Sequence, residues 1–328
     1  MNVVISPYHL TTREPPAMAA LLLAGRVTTF LPAPLQGNDA ESLGRAVEMS
    51  PRYLKFMDSW RWSARLWDEG IIARAFAKQT AEPDVRHVCG VLSADPHFAS
   101  LRALVHDDLF DDEKRYLDAV AHDLLRGGPD PGVSLPVAAA MDRFACRHGM
   151  VVMRSHASSV AQRAEEKLAR RFLAVAVPTV LQADAARFLA LRDALADPLT
   201  EFRNAVSEAT AMLYRDPSGP VDRDLLSEVD HAARAYAMEF EAAHQSMAAE
   251  ARSDEVRLIA STVTLSLAAV PVDAVLRSGL TAMKTLVGSP KLISGASVAA
   301  LATRDPLAGR FVASMIVKPL GRAASGGR

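Results

Sequence analysis

The strongest constraint on the fold is a strand–helix–strand pattern near the N-terminus. A β-branched run at Val3–Ser6 is followed by a helical segment that starts after Thr11 and carries an Ala/Leu-rich face. A second β-rich run, Val27–Leu31, begins directly after Gly25, a residue expected to end the helix in a left-handed cap. A helix between two strands favours a parallel pair, and parallel pairs normally need cover on both faces. The sequence therefore predicts a parallel α/β core.

The same pattern occurs a second time in the middle of the chain. A run at Val151–Arg154 leads through a charged helical segment into Phe172–Val177, and Pro32 and Pro178 follow the second strand of the respective copies. We interpret the two copies as a duplicated unit. The four runs predict one small parallel sheet in an α-rich α/β protein.

Each copy has a polar turn directly after its first strand. The carboxyl ends of parallel strands are where ligands collect, and hydroxyl, imidazole and guanidinium groups beside helix N-termini suit a phosphate or carboxylate. The same Ser and Thr residues are also ordinary helix caps, and neither common glycine-rich phosphate loop is present. The candidate ligand-binding residues are Ser6, His9, Thr11, Thr12 and Arg13 in the first turn and Arg154, Ser155, His156, Ser158 and Ser159 in the second.

The region between the two copies is predicted to be a helical insertion at about residues 35–131. Ser50–Pro51, Glu82–Pro83 and Asp95–Pro96 each resemble a cap followed by proline at the first helical position. The insertion also holds an aromatic cluster at partly helical spacing, which predicts core packing rather than a ligand platform. The cluster consists of Tyr53, Phe56, Trp60, Trp62 and Trp67.

Beyond Pro178 the sequence predicts helices at Asp184–Ala196 and Pro198–Tyr214 and a long helix from Asp222. One face of the long helix carries an apolar stripe with an eleven-residue repeat, which keeps the stripe nearly straight. Such a stripe needs a partner helix, either from this chain or from a second copy, and we expect a homo-oligomer through residues 222–251. The stripe consists of Leu225, Val229, Ala232, Tyr236, Phe240, Ala243 and Met247.

The last part of the chain combines apolar and basic residues. Leu258–Val272 has no charged residue and predicts a buried central helix, although Thr262–Thr264 leaves a strand open. Ala274–Arg328 has eight basic residues and one acid on an otherwise acidic chain of net charge −1. This segment is expected to dock on the body, or otherwise on an anionic membrane surface; without a nucleic-acid motif, nucleic acid is not favoured.

These patterns predict two domains. Residues 1–216 form the α/β core with its insertion, and residues 217–328 form an all-helical domain. The two cysteines, Cys89 and Cys146, cannot make a disulfide scaffold, and no secretory signal is visible at the N-terminus, so a cytoplasmic protein is expected.

As to function, the sequence favours a binding or assembly protein that recognises a partner or a small anionic ligand at the paired loops and self-associates through helices. One alternative is a hydrolase or transferase that acts on a phosphorylated substrate at the same loops. The other is a peripheral membrane protein that uses the basic C-terminal segment. No cofactor, metal or catalytic residue is assigned.

Overall fold

The computed structural model describes residues 1–5, 10, 15–30, 33–34, 60–75, 140–141, 143–145, 148–155, 172–215, 223–250, 259–270 and 310–318. Within them lies one seven-stranded sheet of order β3-β2-β1-β4-β7-β6-β5. The strands are β1 Asn2–Ile5, β2 Arg26–Thr29, β3 Ile72–Arg74, β4 Val151–Ser155, β5 Phe172–Gln182, β6 Ile259–Val270 and β7 Arg310–Lys318. The helices are α1 Pro15–Leu23, α2 Ala64–Asp68, α3 Ala185–Ala194, α4 Ala196–Arg215 and α5 Arg223–Glu250, with a 3-10 turn at Arg61–Ser63.

One side of the sheet is parallel, as the sequence predicts. β1 pairs in parallel with both β2 and β4, and β2 pairs in parallel with β3. β7 continues the parallel arrangement on the far side of β4. An α/β fold with a small parallel sheet is thus confirmed. The region of about residues 35–131 was predicted to be helical throughout, which is wrong at Ile72–Arg74, because this short apolar run forms β3 at the sheet edge.

The other side of the sheet is antiparallel and corrects the all-helical prediction for the C-terminal half. The uncharged run after Leu258 forms β6, a strand rather than a buried helix, and it pairs antiparallel with both β5 and β7. From Thr262 to Leu267, hydroxyl residues alternate with valine or leucine, and a neighbouring strand on each side satisfies the backbone of β6. Both β6 and β7 come from beyond residue 217. The boundary between residues 216 and 217 stays a prediction.

The second strand–helix–strand copy does not repeat the arrangement of the first. β1 and β2 are neighbours, whereas β7 and β6 separate β4 from β5. The predicted fourth strand therefore belongs to the same sheet, but it lies at the sheet edge and pairs with an antiparallel strand. The prediction of four strands in one parallel set is wrong for Phe172–Val177.

Helix α1 is buried on every side. Each residue from Ala17 to Ala24 is at most 1% exposed, and α1 contacts β1 and β2 as well as β5 at the opposite end of the sheet order. A helix that is apolar all round is stable only when it is enclosed. α1 is therefore the centre of the hydrophobic core.

The C-terminal end of α1 is capped by two arginines rather than by glycine. Gly25 does not adopt the predicted left-handed conformation, since the described glycines with positive φ are Gly70 and Gly149. Instead, Arg192 of α3 donates hydrogen bonds to the carbonyls of Leu21, Leu22 (3.1 Å), Ala24 (3.0 Å) and Gly25 (3.4 Å).

Arg203 of α4 completes this cap. Its Nε donates to the carbonyl of Leu23 at 2.7 Å, and its Nη2 donates to that of Leu22 at 3.2 Å. The last carbonyls of a helix have no partner within the helix, and the negative end of the helix dipole favours cations there. The two guanidinium groups satisfy both requirements inside the protein. We call Arg192 and Arg203 the arginine clamp.

The apolar stripe of α5 packs within the chain. Its buried members include Val229, Tyr236 and Phe240, and Tyr236 stacks on Phe202 of α4 with ring centroids 5.9 Å apart. The Tyr236 hydroxyl donates to the carbonyl of Pro178 at 3.0 Å. Pro178 lies in β5, an edge strand, where proline is tolerated. The Tyr236 hydroxyl covers one of the backbone acceptors of this edge.

The aromatic prediction holds for the described tryptophans. Trp60 is fully buried and meets Trp67 edge to face at 5.5 Å, while Trp62 and Trp67 are partly buried against the core. Tyr53 and Phe56 lie outside the described residues.

Candidate functional site

The strand order defines a reversal point in the sheet. From β1 the order of successive strands runs outward to β2 and β3, and β4 then lies on the other side of β1. The carboxyl ends of β1 and β4 therefore lie side by side, since Ile5 is in register with Met153. In open α/β sheets the crevice outside the carboxyl ends of such a pair is the usual place for a ligand.

The sheet edge at this point is stepped. Pairing between β4 and β7 ends at Ser155 and Met315, but pairing between β7 and β6 continues to Lys318 and Thr262. β7 therefore extends three residues beyond its last described partner in β4, roughly 10 Å at the usual rise of a strand. Lys318 is the last of these residues.

Two of the ten predicted ligand-binding residues fall within the described part of the chain. Arg154 and Ser155 are the last two residues of β4, and they are in register with Ser314 and Met315 of β7. The other eight lie outside the described residues: Ser6, His9, Thr11, Thr12, Arg13, His156, Ser158 and Ser159. Their segments follow Ile5 and Ser155 in the chain, so both leave from the two strands that border the reversal point.

Sequence reasoning did not identify β7 as part of this edge. Arg310–Lys318 was included only in the basic C-terminal segment, and nothing in its own residues indicates that it lies beside β4. The short apolar run Phe311–Val317, which contains Val312, Ile316 and Val317, was the available signal for a strand. Lys318 is the residue that this omission left out of the candidate site.

Two buried hydroxyl groups near the carboxyl ends of the sheet lack partners. Thr29 of β2 and Thr179 of β5 are fully buried, and their Oγ1 atoms have no hydrogen-bond partner where the structure describes the chain. By the strand register both belong to the face opposite that of Arg154. Buried hydroxyls of this kind commonly bind ordered water. We do not include them in the candidate site.

The arginine clamp is the main group of buried charges in the described residues, and its role is structural. Burial, and secondarily the charge of Arg203, lowers the pKa of Arg192 to about 10, so this side chain stays protonated at neutral pH. Burial raises the pKa of Tyr236, and the two arginines oppose that rise. Both guanidinium groups donate to backbone carbonyls at or just after the end of α1, which assigns the clamp to the end of this helix.

The chain matches no protein-family model, and searches of curated proteins and of solved structures found no match either. Among the described residues there is no group of three or more metal-binding side chains. None of the described helices combines the length and the apolar character needed to cross a membrane.

Proposed function

We propose that this protein binds a small anionic ligand at the carboxyl edge of the sheet, between β1 and β4. The observation that supports the proposal most strongly is the strand order, because β1 and β4 border the reversal point and are the strands that the two predicted polar turns follow in the sequence. The proposed ligand carries a phosphate or carboxylate group.

The chemistry of the two turns suits such a ligand. Arg154 supplies a guanidinium, whose planar donors can bind two oxygens of one anion. His9 and His156 supply imidazoles, and the serines and threonines supply hydroxyl donors. Lys318, at the end of β7 beyond its last described partner in β4, adds a basic residue near this edge.

A thermal-shift screen of the purified chain against inorganic phosphate, nucleotides and phosphorylated or carboxylated metabolites tests the proposal. A compound at a hundred times its dissociation constant stabilises the folded state by about 2.7 kcal/mol, which raises the melting temperature measurably. We expect at least one compound to do so. The same compound should give a reduced shift with Arg154→Ala, His9→Ala and His156→Ala.

Arg26→Ala is the matched control, because Arg26 is exposed and is the first residue of β2. It therefore lies at the amino-terminal ends of the parallel strands, away from their carboxyl ends. It should respond as the wild type does. The proposal fails if no compound shifts the wild type, or if the loop variants and Arg26→Ala respond alike. Turnover of the bound compound in the same samples would indicate the hydrolase or transferase alternative.

The second part of the proposal is self-association through the outer face of α5. The first five of the seven stripe residues are buried, and α5 contacts α4 and β5, so a second copy would contact other residues. Met238 is 75% exposed on the outer face, and none of residues 241–250 is buried. These exposed positions support the proposal, and the hydrodynamic mass of the chain tests it.

A further inference from the structure

The two outer strands of the sheet differ in length. β3 has three residues, whereas β5 has eleven and pairs with β6 along one side. The outer side of an edge strand presents a row of backbone N–H and C=O groups, which can serve as a template for a further strand. β5 therefore gives the longer of the two sheet edges that the described residues form.

Pro178 determines which residues of β5 have backbone groups on this outer side. It has no N–H, and its carbonyl accepts a hydrogen bond from the hydroxyl of Tyr236 in α5 at 3.0 Å. Its backbone groups therefore face away from β6. Successive residues of an antiparallel strand alternate between its two sides, and the register of β5 has no shift before the irregularity near its carboxyl end. The same side therefore carries the N–H and C=O groups of Phe172, Ala174 and Ala176, which we call the free edge.

The free edge has no backbone partner among the described residues. The backbone hydrogen bonds that the described chain makes outside its helices and strands do not involve Phe172, Ala174 or Ala176. Ala176 is exposed, although Val175 and Val177 on either side of it are buried. An acceptor from outside the chain can therefore reach the backbone at Ala176.

Protection of this edge is confined to the carboxyl half of β5. Prolines, bulges and covering groups are the devices by which proteins prevent a further strand from pairing. Pro178, the Tyr236 hydroxyl and the register shift beyond Val180 supply all three. The preceding run, Phe172–Val177, has neither a proline nor a charged residue. This run therefore keeps the features of a pairing strand.

A second copy of β5 fits the free edge in an antiparallel register centred on Ala174. Phe172 then pairs with Ala176 of the second copy, and Ala174 pairs with Ala174 of the second copy. Every N–H of the free edge meets a C=O in this register, and Pro178 stays outside it. The run is uncharged, so two copies approach without like-charge repulsion. Such two-fold pairing uses the free edge of both copies and therefore closes at two.

We infer that two copies of this chain associate by antiparallel pairing of their β5 strands over Phe172–Val177, which joins the two sheets into one. This inference goes beyond the proposed function, because it uses neither the ligand site nor the outer face of α5. It gives the chain a second surface for self-association and involves no covalent step.

Sedimentation equilibrium of the full chain, with a matched pair of substitutions at Ala176, tests the inference. Proline at this position removes an N–H that faces away from β6, so the sheet within one chain keeps its hydrogen bonds, as it does at Pro178. Threonine keeps the N–H at an exposed position. The wild type should form a dimer whose population rises with concentration. Ala176→Pro should weaken dimerisation at least about tenfold, and Ala176→Thr should leave it unchanged.

Hydrogen–deuterium exchange of the wild type tests the same pairing without any substitution. In a peptide that covers Phe172–Val177, the amides of the free edge should exchange quickly in dilute samples and slowly in concentrated ones. The alternate amides, which face β6, should exchange slowly in both. This measurement decides the question if Ala176→Pro does not fold.

Four results would overturn the inference. One is a wild type that is monomeric at every concentration, and another is an oligomer that Ala176→Pro and Ala176→Thr affect alike. Slow exchange of the free-edge amides in dilute samples would show that a segment of the same chain covers this edge. Loss of the oligomer in Met238→Glu but not in Ala176→Pro would leave the α5 surface of the proposed function intact, whereas the opposite result would support pairing through β5.

Discussion

Replacing Arg192 by alanine is expected to destabilise the protein through the backbone of α1 rather than through a lost ion pair. The guanidinium donates to four carbonyls at the end of the most buried helix, those of Leu21, Leu22, Ala24 and Gly25. Arg203 also donates to the carbonyl of Leu22. Removing Arg192 takes this donor from the carbonyls of Leu21 and Ala24, both in fully buried residues. Leu22 keeps its second donor.

The size of the effect follows from these carbonyls. A buried acceptor that loses its donor costs about 1–3 kcal/mol, so two of them at about 1.5 kcal/mol each predict a loss of about 3 kcal/mol for Arg192→Ala. Arg203→Ala leaves only the carbonyl of Leu23 without this donor, which predicts about 1.5 kcal/mol. The double variant also removes the last donor of Leu22, so it should exceed the sum of the single changes by about 1 kcal/mol.

Equilibrium unfolding in urea, followed by circular dichroism, measures all three variants. Arg234→Ala is the control, because Arg234 is an exposed arginine of α5 whose ion pair with Asp230 is on the surface. Its loss should change the free energy of unfolding by at most about 0.5 kcal/mol. The reasoning is refuted if Arg192→Ala is as mild as Arg234→Ala, or if the two clamp variants are strictly additive.

Three further predictions concern other parts of the fold. Tyr236→Phe loses the hydrogen bond to Pro178, which should cost about 1 kcal/mol at pH 7. Because burial raises the pKa of Tyr236, the unfolded chain releases the phenol proton near pH 10 while the folded chain retains it. Above about pH 10 the free energy of unfolding should therefore change with a more negative slope in the wild type than in Tyr236→Phe; equal slopes in urea unfolding against pH would contradict this. Ala313→Pro removes a backbone donor in the middle of β7, between two paired strands, and should abolish cooperative melting, whereas Ala313→Val should preserve it. A cooperative melt of the proline variant would exclude β7 from the sheet interior. Met238→Glu should shift the sedimentation profile toward the monomer, and an unchanged oligomer would rule out association through that face.

The local patterns in the sequence predicted the parts of the fold that neighbouring residues determine. The β-branched runs and the prolines predicted β1, α1, β2 and β4 within about two residues. The spacing of apolar residues likewise predicted α5 and its buried face. These elements were recognisable because one period, of two or of about 3.6 residues, runs through each.

The missed elements depend on distant residues. An uncharged run such as that after Leu258 fits a buried helix or a buried strand equally well, and only the strands on either side decide for β6. The arginine clamp was missed for the same reason, since Arg192 and its acceptors are about 170 residues apart. For the candidate site, the two polar turns stay a prediction, and the position of β7 beside β4 was missed.

Hydrogen–deuterium exchange of the wild type, with and without a compound that raises its melting temperature, tests the central claim most directly. Peptides that cover the segments following β1 and β4 should exchange more slowly when the compound is bound, because the ligand is expected at the carboxyl ends of these two strands. Peptides from the second half of α5 should exchange at the same rate in both samples. Protection confined to α5, or absent from both segments after β1 and β4, would contradict a ligand site at the reversal point of the sheet.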